Sequence, residues 1–413
     1  MNTPSLPATA DLLVIGAGIV GITVALAWKR RFPAQRVVVI DKEPELGAHA
    51  SGRNSGVIHA GFYYSADSLK ARFCRDGNRR LREYIKSRGL PINECGKLVV
   101  AQDASQLPAL DELARRGKAN GVEIEMISTA DAKKREPRVR TFERALWSPT
   151  TASADPLTVI NAMAEDAVAA GISLHRGVAW LGPLSGEHGN GTGGARTSTG
   201  DCAAPYVINC AGLYADRVAQ AHGFCKNHVI LPFKGLYLYS EQPVGALKCH
   251  VYPVPDLAYP FLGVHATVTV DGHGKLGPTA MPAFWRENYH GFSHFKMGEC
   301  AEILAREAGL MFNAGFDFRG LAVTELRKAF RSHLVKQAQT LLDGVTVADH
   351  KHWGRPGIRA QLLDRRTRTL VMDFLIEGDA HSLHVLNAVS PAWTCSLPFA
   401  DHVVAEAVRL RAG

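Results

Sequence analysis

The stretch Asp11-Leu12-Leu13-Val14-Ile15-Gly16-Ala17-Gly18-Ile19-Val20-Gly21 joins a short apolar run to three glycines spaced as G-x-G-x-x-G. An apolar run of this length is typical of a buried parallel strand. Residues 22–31 then predict a helix that Pro33 ends, and residues 36–40 predict a second strand that is followed by Asp41. The order of strand, glycine turn, helix, strand and acid indicates a Rossmann-type βαβ unit.

The three glycines each have a mechanical role in such a unit. Gly16 permits the tight turn, Gly18 lets the backbone approach a pyrophosphate, and Gly21 lets the helix pack on the strand. The helix N-terminus attracts the phosphate charge, and an acid after the second strand accepts hydrogen bonds from ribose hydroxyls. The alternative is a glycine-rich turn that binds no ligand. The residues predicted to contact a dinucleotide here are Gly16, Gly18, Ile19, Val20, Gly21, Asp41 and Lys42.

The segment Gly47–Gly61 distinguishes between two dinucleotides. It is rich in small and hydrogen-bonding residues, including Ser51, Asn54 and Ser55, and such a loop can lie along a long cofactor with its N–H groups directed at phosphate and flavin. A nicotinamide-dependent dehydrogenase would more often continue with a helix. An ordinary surface loop is the alternative, but Val57–Ile58 between glycines indicates burial. We therefore expect FAD as the cofactor.

The composition indicates a folded protein with a basic surface. The 413 residues are 46% hydrophobic and 21% charged, with a formal net charge of +8 at pH 7, which is ample for a buried core. A basic protein attracts an anionic substrate, nucleic acid or an anionic membrane surface. The basic residues are scattered, and the densest cluster, Arg365-Arg366-Thr367-Arg368, is typical of a strand turn. We therefore do not expect nucleic acid as a partner.

The cysteines and the hydropathy bear on location and on metal binding. The eight cysteines include no C-x-x-C pair, and contexts such as Ile208-Asn209-Cys210-Ala211 are typical of buried thiols in a reducing compartment. No metal site is predicted, because no Glu follows His290 in the His290/His294 pair and Gly291 disfavours a helix there, while His350 and His352 have no third ligand. No stretch reaches the ~20 apolar residues of a spanning helix. We expect a cytoplasmic protein, either free or peripheral on the inner membrane.

Further stretches, in order along nearly the whole chain, resemble one family of flavoproteins. They are Asn54–Tyr64, Ser68–Ala71, Cys95–Ala101, Leu231–Gly235, Tyr252–Asp256, Pro260–His265, Leu276–Ala280 and Leu383–Ala392. On these residues the chain resembles the FAD-dependent oxidoreductases of the D-amino-acid oxidase and glycerol-3-phosphate dehydrogenase superfamily, and within it the L-2-hydroxyglutarate dehydrogenase/oxidase group. It departs from that group at Leu236, where an acidic or polar residue is usual, and over residues 285–350.

The pattern of elements predicts an α/β fold with two domains. A discontinuous Rossmann-type FAD-binding domain takes residues 1–90, 150–228 and 353–413. A substrate domain, with an antiparallel sheet plus helices, takes residues 91–149 and 229–352. The predicted helices are 22–31, 73–88, 107–120, 157–170, much of 298–342 and 399–410, and the predicted strands include 97–101, 172–180, 206–210, 382–387 and several between 229 and 277.

The resemblance extends the cofactor site beyond the N-terminal unit. It implies that a strand and turn ending in Ala211 and Gly212 complete the FAD site, with packing alone as the alternative. The further predicted cofactor contacts are Ser51, Asn54, Ser55, Gly56, Val178, Ala211, Gly212, Gly357, Ser390, Pro391, Ala392 and Thr394.

Oxidation of a hydroxy acid requires a cation for the α-carboxylate, a base for the hydroxyl proton and a hydride acceptor, which is the flavin N5. Arg359 is the predicted clamp, because a planar guanidinium matches a carboxylate bidentately. The resemblance also implies an arginine beside Gly and Pro before the last strand of the FAD domain. The alternatives are a surface ion pair between Arg359 and Asp364, and Arg355 as the clamp.

His59 is the predicted base, because it follows the flavin-lining loop and a neutral imidazole can accept a proton. A packed core histidine is the alternative, and His265 is the second candidate. A dianion such as 2-hydroxyglutarate needs a second polar clamp. Lys234, Tyr237 and Tyr252 are the candidates for it.

The expected reaction is the oxidation of a small anionic hydroxy acid, L-2-hydroxyglutarate, to 2-oxoglutarate. Oxygen, a quinone and an electron-transfer protein are all compatible with the sequence as electron acceptors. Three other hypotheses stay open: an amino-acid or sarcosine-type amine oxidase of the same fold, a nucleic-acid-associated flavoprotein, and a non-catalytic FAD-binding scaffold.

Overall fold

The computed structural model describes residues 5–184, 193–255 and 263–412. The chain folds into two compact units, each assembled from separate segments. The first unit contains residues 1–53, 156–231 and 360–413, and the second contains residues 54–155 and 232–359. Part of the glycine-rich stretch 186–200, for which the sequence predicts a hairpin tip, lies outside the described residues, as do Phe261 and Leu262.

The described residues form ten α-helices and 23 strands. The helices are α1 (Ile19–Arg31), α2 (Leu69–Ser87), α3 (Leu107–Ala119), α4 (Thr129–Arg135), α5 (Pro156–Ala169), α6 (Ala215–Ala221), α7 (Met297–Phe312), α8 (Phe318–Arg327), α9 (Arg331–Ala338) and α10 (Ala392–Ala412). The strands are β1 (Leu12–Ile15), β2 (Val37–Asp41), β3 (Val57–Ile58), β4 (Lys97–Val100), β5 (Glu125–Ser128), β6 (Arg144–Ser148), β7 (Ala152–Ser153), β8 (Ser173–Arg176), β9 (Trp180–Pro183), β10 (Gly194–Thr197), β11 (Gly200–Ala203), β12 (Val207–Asn209), β13 (His228–Gly235), β14 (Leu238–Tyr239), β15 (His250–Pro253), β16 (His265–Val268), β17 (Gly274–Gly277), β18 (Met281–Pro282), β19 (His352–Trp353), β20 (Gly357–Asp364), β21 (Thr369–Leu370), β22 (Leu375–Gly378) and β23 (Ser382–Asn387).

The first unit is built on a six-stranded sheet with the strand order β22-β23-β12-β1-β2-β8. Every neighbouring pair from β23 to β8 is parallel, and β22 pairs antiparallel with β23. All of β1 and β2 is buried except Asp41 at the carboxyl end of β2, as expected for a parallel sheet covered on both faces. Helix α1 packs against α5 and α10. The Rossmann-type βαβ unit is therefore confirmed.

Close packing of glycines fixes the turn between β1 and α1. Gly16 has a φ of +101°, which L-residues rarely adopt, and a Cβ there would lie 2.5 Å from the carbonyl oxygen of Cys210. A Cβ on Gly21 would lie 1.8 Å from the carbonyl oxygen of Gly16. The helix begins at Ile19, three residues before the predicted start at Ile22, because Gly18 with an extended backbone is its N-cap.

Two other elements of the first unit differ from the sequence-based prediction. The segment 172–180 forms part of two strands, β8 and β9, because Gly177 with a φ of +73° interrupts it. Helix α10 begins at Ala392 instead of Phe399 and contains Pro398 in its interior. Proline usually ends or kinks a helix, and the sequence pattern therefore predicts a start that is too late.

The second unit is built on an eight-stranded sheet with the strand order β19-β14-β17-β16-β15-β4-β6-β5. Its neighbouring strands are antiparallel except for β4 and β15, which pair in parallel. Successive side chains of a strand point to opposite faces. One face therefore presents Leu98, Val251, Ala266 and Leu276 to an apolar core, which also contains Leu334 of α9. The opposite face combines polar and aromatic side chains with a second apolar cluster that includes Val99 and Leu146.

The segment 54–90, for which the sequence predicts a place in the FAD-binding domain, belongs to the second compact unit. Its strand β3 pairs antiparallel with β7, and α2 packs on β3. The Asn78 side chain donates hydrogen bonds to the carbonyl oxygens of Ile58, at 3.3 Å, and Thr150, at 3.0 Å. The functional assignment of each unit stays a prediction.

We predict that Gly21→Ala lowers the free energy of unfolding of the protein by about 2 kcal/mol or more, because its Cβ has no room beside the Gly16 carbonyl. Gly309→Ala is the matched control. It lies within α7, and a Cβ there meets no atom within 4 Å, so it should be neutral or stabilise by up to ~1 kcal/mol. Thermal unfolding of both variants checks the prediction, and equal midpoints would contradict it.

Candidate functional site

The N-terminus of α1 has the features that a pyrophosphate needs. Its N-cap Gly18 makes no side-chain cap, and no acidic residue stands in the first turn. The Ser51 hydroxyl accepts a hydrogen bond of 2.9 Å from the Ile19 N–H, and a Cβ on Gly18 would lie 2.9 Å from that hydroxyl. The N–H groups of a helix N-terminus and the positive end of the helix dipole favour a bound anion. The turn therefore fits the phosphates of a dinucleotide.

Asp41 is fixed by the backbone on both sides of its carboxylate. One oxygen accepts from the Ala17 N–H at 2.7 Å, and the other accepts from the Glu43 N–H at 2.9 Å. Because each carboxylate oxygen has two lone pairs, both can accept a further hydrogen bond from a ribose hydroxyl. The Val178 N–H donates to the Asp41 carbonyl at 2.8 Å, and the Lys42 ammonium lies 5.4 Å from the Tyr214 ring centroid.

The remaining predicted cofactor residues of the first unit lie near the carboxyl ends of its parallel strands. The turn after β12 lies against Gly16. In this turn the side-chain Oδ1 of Asn209 accepts a hydrogen bond of 3.0 Å from the Ala211 N–H. Gly212 follows with a φ of +52°. Beyond β23, Ser390 and Pro391 precede α10, whose first turn buries Ala392 and Thr394. The sheet thus brings the N-terminal turn, the β12 turn and the start of α10 to one edge.

Four predicted cofactor residues belong to the second unit. The Gly56 N–H donates to the Asn54 side chain at 2.9 Å, and Gly56 has a φ of +74°. The buried Lys275 ammonium donates to the Ser55 carbonyl at 3.0 Å. Gly357 is the first residue of β20. The contact of these four residues with a cofactor stays a prediction.

The polar face of the eight-stranded sheet carries two of the predicted catalytic and substrate residues, His265 and Tyr252. His250 is in register with Lys97, and Thr267 with Lys275, so these side chains share one face. Tyr252 and His265 lie on that face too, with their rings stacked at 3.7 Å between centroids. All of these side chains are buried. The face therefore combines cations, imidazoles and phenols in a low-dielectric environment.

Both candidate bases are buried histidines that stay neutral near pH 7. Burial, and then the charge of Lys97, holds the pKa of His59 well below its usual range. Burial likewise holds the pKa of His265 well below that range. His265 Nδ1 lies 3.0 Å from the carbonyl oxygen of Gly263. A carbonyl can only accept, so in the neutral ring Nδ1 carries the hydrogen and Nε2 keeps the lone pair.

The two candidate arginines differ in their environment. Arg359 lies within β20 and is half-buried, whereas Arg355 is exposed. Burial lowers the pKa of Arg359, and the nearby Tyr64 and Tyr237 oppose that shift. The same guanidinium charge contributes to the lowered pKa of His59. Arg359 is therefore the arginine that lies close to a candidate base.

The three candidates for the second clamp differ in burial. Lys234 is half-buried on β13, and burial lowers its pKa. Tyr237 is also half-buried, with the Lys275 ammonium 4.8 Å from its ring centroid. Tyr252 is buried on the polar face beside His265. The clamp roles of all three stay predictions.

Sequence reasoning misses three buried residues: Lys97 and Lys275 on this face, and Tyr63 beside Lys97. A lysine at the start of an apolar strand, as in Gly96-Lys97-Leu98-Val99, is the signal that could have found the first. A buried charge is costly unless it is paired, so such a lysine is a candidate for function.

Comparisons with known proteins agree with this geometry. The model of the family described as FAD dependent oxidoreductase matches residues 11–406. The chain is similar to the mitochondrial L-2-hydroxyglutarate dehydrogenase of Mus musculus, with 37% identity over 95% of this chain and 87% of that protein. It is also similar to the L-2-hydroxyglutarate dehydrogenase of Escherichia coli K12, with 32% identity over 97% of this chain and 94% of that protein.

A solved structure shows the same fold at lower identity. It is the L-α-glycerophosphate oxidase of Mycoplasma pneumoniae with FAD bound, with a TM-score of 0.76, 22% identity, and coverage of 98% of this chain and 95% of that chain. The G-x-G-x-x-G turn, the fixed Asp41 and the parallel sheet fit the cofactor in the family's description. The chain belongs to the FAD-dependent oxidoreductase family, and within it to the L-2-hydroxyglutarate dehydrogenase group.

Proposed function

We propose that this protein oxidises L-2-hydroxyglutarate to 2-oxoglutarate with FAD as the oxidant. The observation that carries the proposal is the buried polar face of the second unit. It holds cations for a dianionic substrate beside histidines that are neutral at physiological pH. The names of the relatives that cover nearly the whole chain support the same substrate.

Each part of the chemistry has a residue of the right type. Arg359 binds the α-carboxylate through its planar fork and orients the hydroxyl-bearing carbon. His59 takes the hydroxyl proton on its neutral imidazole, and His265, with its free Nε2 lone pair, is the second candidate for that role. FAD, when bound, supplies the two-electron oxidant that accepts hydride from the same carbon. Burial of the site keeps competing water away from these groups.

An anaerobic titration of the purified holoenzyme tests the substrate. We expect L-2-hydroxyglutarate to bleach the flavin absorbance fully, because the site offers cations for both carboxylates. L-glutamate, sarcosine and D-2-hydroxyglutarate should leave most of it unchanged. Bleaching by an amine and not by the hydroxy acid would instead support an amine oxidase, and bleaching by no compound would support a non-catalytic scaffold.

Two variants separate binding from proton transfer. Arg359→Lys keeps the charge but loses the fork, so we expect weaker substrate binding together with slower flavin reduction. His59→Ala should slow flavin reduction by roughly a hundredfold to ten-thousandfold, the usual contribution of a general base. Stopped-flow reduction measures both effects. Arg79→Lys, on the exposed ion pair with Glu83 of α2, is the control for an arginine change that should have no effect.

The pH dependence identifies the base. A base must be neutral to accept the proton, so reduction should slow as pH falls through its folded pKa. Because burial holds the pKa of His59 well below 6.5, the rate should be level near pH 7 and fall only in more acidic solution. If the fall of the rate in acidic solution disappears in His59→Ala, the assignment of His59 as the base is supported. If that fall and the rate persist in that variant, the role passes to His265.

The proposal extends to a peripheral position on a membrane. Several large apolar side chains between residues 292 and 330 are exposed: Phe292 (83%), Met297 (78%), Phe312 (83%) and Phe330 (70%). Exposed cations stand among them, at Lys296, Arg319, Arg327 and Arg331. No helix in the described part of the chain is both long and apolar enough to cross a bilayer. Apolar groups interleaved with cations suit an anionic lipid surface. Because a quinone is dissolved in the membrane, that position favours a quinone among the three candidate electron acceptors.

Vesicle sedimentation tests the membrane proposal. We expect the protein to bind vesicles containing phosphatidylglycerol, with the variant Phe292→Ser/Phe312→Ser bound roughly tenfold or more weakly, because each phenylalanine loses apolar burial. Salt should weaken the binding without abolishing it, since the apolar part is unscreened. Leu181→Ser, an exposed apolar residue of the first unit, is the control. Equal sedimentation of all proteins would contradict the proposal.

A further inference from the structure

Three buried hydrogen-bond donors belong to residues that contact one another in the second unit, two on the polar face and one in the segment between β3 and α2. They are the Lys97 ammonium, the Tyr63 hydroxyl and the Tyr252 hydroxyl, on residues that are 0%, 6% and 1% exposed. None of the three makes a hydrogen bond within the described ranges 5–184, 193–255 and 263–412. The Thr267 hydroxyl approaches that of Tyr252 without reaching hydrogen-bonding geometry.

Aromatic rings hold the Lys97 ammonium in place. Its nitrogen lies 4.5 Å from the ring centroid of Tyr63, 4.6 Å from that of Phe62 and 4.8 Å from that of Tyr252. The described residues offer it no carboxylate within ion-pairing distance. Ring faces attract a cation, but they stabilise its charge and accept its hydrogen bonds far less well than a carboxylate would. The ammonium therefore has a fixed position and lacks its natural counter-ion.

The chemistry of the three groups is one-sided. An ammonium can only donate hydrogen bonds, and each phenol has a hydrogen to donate. Buried donors are costly to leave without an acceptor, and a buried charge is costly to leave without a counter-charge. A carboxylate supplies both, with two oxygens and one negative charge. An ionised acid group is thus the ligand that satisfies this cluster.

We propose that Lys97, Tyr63 and Tyr252 bind the second carboxylate of a dicarboxylic substrate, and that Lys97 sets the preference for dicarboxylic over monocarboxylic hydroxy acids. This inference rests on the proposed function, in which Arg359 takes the first carboxylate. It gives the distal clamp to Lys97 in place of Lys234, which is half-buried on β13. Of the earlier candidates it keeps Tyr252.

The titration of Lys97 gives the subsite a pH signature. Burial lowers the pKa of Lys97 to about 7. The imidazoles that face it are neutral at that pH, because burial lowers the pKa of His250 to about 3 and holds those of His59 and His265 well below the usual range. Burial raises the pKa values of Tyr63 and Tyr252. The remaining nearby group is Cys74 of α2, whose thiol donates to the His59 carbonyl at 3.4 Å.

A carboxylate ligand favours the charged form of Lys97. Glutarate is a dicarboxylate that this reaction cannot oxidise. Its affinity should therefore be constant below pH ~7 and fall above it, because the Lys97 ammonium of the ligand-free protein loses its proton there. Lys275 also titrates nearby, because burial lowers its pKa to about 8, so the wild-type profile must be compared with that of Lys97→Met. Only the part of the fall in glutarate affinity that Lys97→Met abolishes is due to the titration of Lys97.

The test compares two substrates of equal length in the FAD-loaded full-length protein. L-2-hydroxyglutarate has the distal carboxylate, and L-2-hydroxypentanoate has a methyl group in its place. In Lys97→Met we expect roughly hundredfold weaker binding of L-2-hydroxyglutarate, measured from anaerobic flavin reduction, since one partner of a buried charge pair is lost. Binding of L-2-hydroxypentanoate should change by less than about threefold. Lys118→Met, at an exposed position of α3, is the matched control.

Two conservative variants keep the test decisive if Lys97→Met does not fold. Tyr63→Phe and Tyr252→Phe retain the rings and remove only the donors, and each should weaken L-2-hydroxyglutarate binding roughly tenfold while sparing L-2-hydroxypentanoate. Unchanged discrimination between the two substrates in the folded variants would overturn the subsite, and so would a loss that appears only in Lys234→Met. If the wild-type flavin is not reduced by L-2-hydroxyglutarate at all, the proposed function fails first.

Discussion

The carbonyl oxygen of Gly16 stands where a Cβ on residue 21 would have to be, and helix α1 can reach strand β1 only because Gly21 has no side chain. This contact fixes where the helix begins. It leaves Gly18 as an N-cap without a side chain, so the first turn stays open to an anion. The Ala17 N–H beside it holds the Asp41 carboxylate. One steric constraint thus sets the position of both the turn that is predicted to bind phosphate and the acid that is predicted to bind ribose.

The second unit depends on a different constraint, the cost of burying charge. A low-dielectric environment disfavours every charged form, and this has two consequences on the polar face of the sheet. Imidazoles such as that of His265 lose their proton and are neutral at pH 7. The Lys97 ammonium, whose pKa burial lowers to about 7, keeps its charge more readily when an anionic ligand lies beside it. A single physical effect therefore sets the charge state of both the proposed base and the proposed carboxylate-binding lysine.

Sequence reasoning succeeded where local pattern and local structure coincide. The β1–α1–β2 unit follows from an apolar run, three glycines and an acid, all within 31 residues of one another. The prediction was less accurate where a tertiary contact overrides a local preference. Helix α10 continues through Pro398, although proline by itself argues for a later start, because the first turns of the helix pack against α1, where the Thr23 hydroxyl donates to the Ser396 carbonyl.

The sequence by itself determined the type of cofactor unit, the family resemblance and the residue types from which a base and a carboxylate clamp could be chosen. These follow from short-range spacing and from motifs that keep their meaning in any context. Only the tertiary structure decided that Lys97, Tyr63 and Tyr252 meet. Lys97 and Tyr252 lie on strands from distant parts of the chain, and the parallel pairing of β4 with β15 is invisible in either strand alone. Tyr63 reaches them from the segment between β3 and α2. Burial, which sets the charge state of each group, is a property of that assembled face and of no single segment.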